Sequence, residues 1–278
     1  MKNIFHLFLI CFSWPVLAAE TQPQPRAHAH NDYEHSRPLF NALEHGFCSI
    51  EADIYLVDEK LLVAHDREKV DPARTLQKLY LDPLRERAQT NGGRIFRHGP
   101  TEILLIDVKL SSEKIQHDEK KALAESEKTY AKLCQVLRNY SSLLTKFYPD
   151  KTETNAITVI VTGARPPSLL AEKGVRLAAY DGRVADLFSA KSKDFIPLIS
   201  DNWTEFFRWD GSGTFPPDEK TRLNEMVTQA HRHGRKIRFW KTPDLRAFWE
   251  ELRQAGVDLI NADDLAGLEI FLKHKHDP

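Results

Sequence analysis

Eight short apolar runs, each followed by a stretch of helical periodicity, constrain this chain more than any other feature. The runs fall at 26–30, 48–57, 101–110, 156–161, 175–180, 196–199, 236–240 and 257–262. Strands that alternate with helices imply parallel pairing through crossover helices. Eight such units over roughly 250 residues make the size of a closed (β/α)8 TIM barrel, an α/β fold. An open doubly wound sheet is the alternative, but no Gly-rich phosphate loop follows the first run. The 278 residues, 41% of them hydrophobic, suffice for such a core. No linker, internal repeat or low-complexity stretch divides them, so residues 20–278 are expected to form a single monomeric domain.

Within this frame the polar residues gather at the ends of the runs. In a barrel of this kind the chemistry sits at the carboxyl ends of the strands. Glu51 and Asp53 stand two apart inside an apolar run, and side chains at i and i+2 of a strand share a face. Two such carboxylates repel each other unless a cation or a proton lies between them. Asp107 ends the next buried strand, with Lys109 two residues on. Glu51, Asp53 and Asp107 could ring one hard cation, Mg²⁺ or Ca²⁺. The simpler alternative pairs Asp107 with Lys109, and Glu51 and Asp53 with arginines. His28 and His65 are the expected acid and base, since a histidine titrates near neutrality. His30 either touches the metal or orients Asn31 and Asp32.

Finer expectations follow from caps and breakers. Ser36 and Pro38 open a helix that Gly46 ends. Asp58-Glu59-Lys60 turns the second strand back into a hairpin partner at Leu61–His65. One long helix covers 113–141, a helix runs to Lys173, and another starts at Thr242-Pro243-Asp244. The aromatic loop at 203–217 either packs over the barrel, the favoured reading, or touches a lipid surface in passing.

Charge and address bound the partners. With 39 basic and 40 acidic residues, the chain has no footprint for nucleic acid. Residues 1–19 combine a short positive start, an apolar stretch and small residues at Ala18-Ala19, the pattern of a secretory signal peptide. That pattern predicts an exported protein, periplasmic or secreted. Cys48 and Cys134 then remain, and buried free thiols are favoured over a disulfide.

The motifs HAHNDY, SIEADIYL, LLVAHD, ILLIDVKL and KIRFWKTPD…GVDLINADDL, in this order, resemble the phosphatidylinositol phospholipase C-like phosphodiesterases. They are similar to glycerophosphodiester phosphodiesterases and sphingomyelinase D-type toxins, and most similar to the altered-inheritance-of-mitochondria-type branch. The resemblance runs from about residue 26 to 268 and implies a TIM-barrel phosphoric diester hydrolase that needs a divalent cation. It implies His28 and His65 as the catalytic histidines, Glu51, Asp53 and Asp107 as the metal acids, and Lys109 and Trp240 beside the substrate. Asn31 and Arg165, at strand ends, join the expected substrate-binding set. The expected substrate is a glycerophosphodiester or a phospholipid-type phosphodiester. His-Ala-His stands where glycerophosphodiesterases carry His-Arg-Gly, which sets this chain apart from them.

Two other readings compete. A metal-dependent amidohydrolase would use His28 and His30 as a zinc pair, but would need histidines on later strands, and the runs at 175–180 and 196–199 have none. A non-catalytic phosphate- or lipid-binding barrel would not need two histidines beside a cation.

Overall fold

The computed structural model describes residues 21–274. Its strands are β1 (Gln24–Ala29), β2 (Phe47–Val57), β3 (Lys60–Val63), β4 (Glu102–Val108), β5 (Lys146–Phe147), β6 (Thr152–Glu153), β7 (Ile157–Gly163), β8 (Ala179–Gly182), β9 (Leu198–Asn202), β10 (Lys236–Trp240) and β11 (Ile260–Ala262). Eight of them run parallel in the order β10-β9-β8-β7-β4-β2-β1-β11. A parallel bridge between Arg238 and Leu259 joins the two ends of that path. The Asp258 N–H donates to the Ile237 carbonyl at 3.1 Å beside it. The sheet is therefore a nearly closed (β/α)8 barrel. The expected signal peptide, residues 1–19, lies outside the described residues.

The helices are α1 (Phe40–Glu44), α2 (Asp82–Thr90), α3 (Glu113–Gln116), α4 (Glu119–Arg138), α5 (Pro167–Ala171), α6 (Trp203–Phe206), α7 (Pro217–Arg232), α8 (Arg246–Ala255) and α9 (Leu265–Lys273). In α4, Tyr130, Leu133 and Leu137 bury one stripe at helical spacing. No described helix is long and apolar enough to cross a membrane.

Several boundaries differ from the sequence expectation, each for a local reason. The long helix over 113–141 is two helices, because Asp118 caps α4 by accepting from the Lys121 N–H at 3.1 Å. Ser36 caps nothing: α1 starts at Phe40, and the Leu39 N–H goes to the Asp32 carboxylate at 2.6 Å. The helix expected at Thr242 starts at Arg246, since Asp244 instead accepts from the Asp263 and Asp264 N–H groups at 2.9 and 2.7 Å. Arg176 pairs outward with Phe147, so β8 begins at Ala179 rather than 175.

Most of the aromatic loop packs inward. Trp203, Phe207, Trp209 and Phe215 are all buried, with Trp203 stacked on Phe207 at 4.0 Å and against Phe248 at 4.8 Å. The Glu219 carboxylate pins the loop by accepting from the N–H groups of Arg208 and Trp209. Cys48 and Cys134 are free thiols.

Inside the barrel, Ile103, Leu105, Ile160, Ala179, Leu198 and Leu259 form an apolar plug. The next inward positions toward the carboxyl ends carry polar groups, and these form the floor of the site.

Candidate active site

Parallel register puts the acids together. Asp53 on β2 stands directly beside Asp107 on β4, and Glu51 lies one inward position below Asp53. One oxygen from each of Glu51, Asp53 and Asp107 falls within 4.8 Å of the other two. Asp53 Oδ1 and Asp107 Oδ1 are buried without a hydrogen-bond partner. Gly163, at φ +72°, leaves the space that a Cβ would take from the Asp107 carboxylate. Orphaned oxygens of three converging carboxylates suit a hard divalent cation. The donor set fits such an ion, and among the described residues it is the one cluster of this kind.

The charges around the acids are unevenly shared. Lys109 Nζ lies 3.0 Å from Asp53 and 2.9 Å from Asp107, so one ammonium serves two carboxylates. Burial, then the Asp53 charge, pushes Asp107 up to about 6. Burial would lower Lys109, but Asp107 and Asp53 outweigh it and hold the ammonium above its usual value. Glu51 has its own cation: Arg238 donates to Oε2 at 2.7 Å. Arg238 and His28 outweigh burial and hold Glu51 well below the usual carboxylate range. The alternative that paired an acid with an arginine thus holds for Glu51, although Glu51 still contributes to the cluster.

The two expected histidines sit in different places. His28 is wholly buried, with Nδ1 2.7 Å from Ser49 Oγ and Nε2 3.1 Å from Glu51 Oε2. Burial and then Arg238 lower its pKa to about 3, so it is neutral. His65 is 49% exposed and lines the cleft. The β2–β3 hairpin brings it there, as the Asp58-Glu59 turn predicts: both residues adopt positive φ, the geometry of a tight two-residue connection. The Tyr55 hydroxyl then clamps the His65 carbonyl at 3.0 Å. The nearby Asp53 carboxylate, 3.5 Å from Nδ1, raises the His65 pKa above its ordinary value, against partial burial.

Other groups complete the mouth. His30, two residues beyond His28, lines the cleft and has Nδ1 2.9 Å from Asp263 Oδ1. The zinc-pair alternative fails on this point, because His28 engages Glu51 while His30 engages Asp263. Asn31 turns the chain at φ +46° and lines the cleft as well. Arg165 stacks over Tyr180 at 4.5 Å and donates to the Asp181 carbonyl. Trp240 also lines the cleft, whose volume is about 1670 Å³. All the expected substrate contacts, Lys109, Asn31, Arg165 and Trp240, therefore reach one space.

Sequence reasoning missed Arg238, Tyr33 and Ser49. Arg238 also donates to Asn261 Oδ1 at 2.6 Å and Ser200 Oγ at 3.3 Å, and so ties three strands beneath the acids. Its signal was available, since Arg238 shares strand parity with Trp240 and a charge there must face the barrel interior.

The AIM6-like phosphodiesterase domain matches residues 17–181, which hold every site residue named above from His28 to Arg165. An altered inheritance of mitochondria protein 6 homolog from Arthroderma benhamiae is 31% identical over 266 residues, covering 86% of this chain and 81% of that protein. Altered inheritance of mitochondria protein 6 from Eremothecium gossypii is 30% identical over 289 residues, covering 88% and 69%. A glycerophosphodiester phosphodiesterase structure from Parabacteroides distasonis aligns with a TM-score of 0.46 at 14% identity, covering 89% of this chain and 94% of that one. The expected export does not stand. The relatives are named for the inheritance of mitochondria. With more than half its length matched by the domain, and a relative at 31% identity, the chain belongs to the AIM6-like phosphodiesterase family.

Proposed function

We propose that this chain hydrolyses phosphodiesters with the help of one divalent cation, Mg²⁺ or Ca²⁺. The observation that carries the reading is the convergence of Glu51, Asp53 and Asp107, with orphaned oxygens on two of them, beside cleft-facing histidines. When bound, the cation would offset charge on the phosphoryl oxygens. Lys109 holds Asp53 and Asp107 together and adds positive charge at the same place. His65 and His30 exchange protons with the attacking and leaving oxygens, since both reach the cleft. His28 takes a different part from the one its sequence position implied. It is neutral, buried and bonded through both nitrogens, so it orients Glu51 from beneath. Asp263 does the corresponding work for His30.

The cleft supports an amphiphilic substrate of the glycerophosphodiester or phospholipid type. Its lining includes the apolar Leu110, Ala122 and Leu123 as well as the basic Arg165, Arg183 and Lys241. The test is hydrolysis of bis(p-nitrophenyl) phosphate by the full chain, with EDTA, with added Mg²⁺ or Ca²⁺, and with His65→Ala. Activity that requires the cation and disappears in the variant is expected, and a panel of lipid and glycerol phosphodiesters then ranks substrates. Wild-type protein that neither turns over any of these nor binds either cation would refute the reading.

A further inference from the structure

Tyr33 takes no direct part in the chemistry just described, yet it occupies the centre of the site. It is 2% exposed. Its hydroxyl lies 2.6 Å from Asp53 Oδ2, 2.6 Å from Asn31 Oδ1 and 3.1 Å from His65 Nδ1. Its ring lies nearly parallel to that of His65, 20° off plane with centroids 6.4 Å apart. The backbone arranges this by turning sharply at Asn31 and running through a short 3-10 turn over Asp32–Glu34. Asp32 locks the turn from below by accepting from the Leu39 N–H and the Tyr80 hydroxyl, at 2.6 and 2.8 Å.

A count of protons gives this arrangement a consequence. A phenol has one proton to donate. Two of its three neighbours, the Asp53 carboxylate and the Asn31 amide oxygen, only accept. Whichever of them takes the proton, none remains for His65. The bond between Tyr33 and His65 therefore forms only if His65 Nδ1 carries the hydrogen and the tyrosine oxygen accepts it. The direct path from Nδ1 to Asp53 is 3.5 Å, longer than an effective hydrogen bond.

We propose that Tyr33 is a positioning residue that fixes His65 in the Nδ1–H tautomer and ties its ring to the metal-binding acid Asp53. Nε2 is then the nitrogen left to take or give a proton, and free neutral imidazole has no comparable constraint. The inference rests on the proposed chemistry only for its consequence in turnover. The tautomer can be read without activity, in the metal-free full chain.

The experiment is a long-range ¹H–¹⁵N spectrum of histidine-labelled protein, at a pH above the His65 titration, with His65→Ala to assign the signal. Wild type should show His65 as the Nδ1–H form, and Tyr33→Phe should show a mixture with the Nε2–H form. In the phosphodiester assay Tyr33→Phe should lower kcat by about 10- to 100-fold, the usual cost of losing an orienting partner, with KM within about twofold. A role in folding alone would lower stability and leave the tautomer unchanged. A wild-type spectrum in the Nε2–H form overturns the proposal, even if Tyr33→Phe fails to fold. So does a folded Tyr33→Phe that keeps both the Nδ1–H form and the wild-type kcat. A tautomer lost in Tyr33→Phe, in a protein inert toward every phosphodiester, sustains the positioning role and removes the proposed activity instead.

Discussion

The two ends of the barrel interior are filled by opposite chemistry, and one step along the strands separates them. Leu105, Ile160, Ala179, Leu198 and Leu259 pack into the plug. Two residues further on, the same five strands or strand ends carry Asp107, Thr162, Asp181, Ser200 and Asn261, and none of these is fully exposed. The lower layer gains stability from apolar area removed from water and carries no group that titrates. The upper layer holds its polar groups only through partners: Arg238 for Glu51, Arg183 for Asp181, and one lysine for both Asp53 and Asp107. The boundary steps from strand to strand: Asp53, Asp107 and Thr162 stand side by side, whereas Glu51 stands beside Leu105 and Asp181 beside Leu198. The lower layer supports the barrel, and the upper one is short of one positive charge.

That shortage is where function and stability should part most sharply. Asp107→Asn keeps the shape of the side chain and removes its charge. Cation-dependent turnover should fall by roughly 10²- to 10³-fold, the scale of losing one electrostatic contact to the reacting group. The metal-free protein should unfold no more easily than wild type at neutral pH, because the substitution removes a poorly compensated buried charge. Parallel assays and thermal melts check both halves, and a variant that is equally active would break the assignment of Asp107.

Arg238→Ala against Leu105→Ala tests the two layers directly. Removing one partner of the buried Arg238–Glu51 pair should cost about 3–5 kcal/mol, since Glu51 and Asn261 lose their donor. Leu105→Ala should cost about 2–5 kcal/mol through the cavity it leaves. Their pH behaviour should differ more than their size. Protonation of Glu51 relieves the stranded charge, so the Arg238→Ala deficit shrinks in acid. The Leu105→Ala deficit stays flat. Urea unfolding at several pH values measures both, and parallel curves for the two variants would erase the distinction.

The same boundary divides what was legible in the sequence from what was not. Glu51, Asp53, Asp107 and Lys109 could be read because each breaks an apolar run at a fixed strand parity, and parity survives folding. The barrel followed from the alternation of runs. The depth of a residue along the barrel axis cannot be read in this way. His28 and His30 have the same parity and the same chemistry, yet one is sealed under Glu51 and the other opens on the cleft. The difference is set by the stagger of β1 on β2, which pairs His28 with Ser49. Arg238 was missed because its partner Glu51 lies 187 residues away, and a closed barrel alone brings them together. The favoured packing of the aromatic loop could be read from its composition, but nothing local announces that Glu219 holds it inward.

A smaller effect isolates the missing charge itself. Asp107 has a folded-state pKa near 6, above its ordinary 3.8. Its contribution to stability is therefore full below 3.8 and is lost as pH rises through about 6. His28 acts in an overlapping window with the opposite sign. Its pKa is lowered to about 3, so its contribution is present above 6.5 and fades as pH falls toward 3. Wild-type melting alone would mix the two. The difference in Tm between Asp107→Asn and wild type cancels His28 and leaves Asp107. In metal-free protein that difference should grow in favour of the variant from pH 4 to pH 6 and then level off. With saturating Mg²⁺ or Ca²⁺ it should reverse above pH 6, because the cation binds the folded carboxylates of wild type alone. A difference that stays flat in EDTA would mean that Lys109 already balances both acids. The mouth of the barrel would then lack the charge deficit on which the cation site is argued.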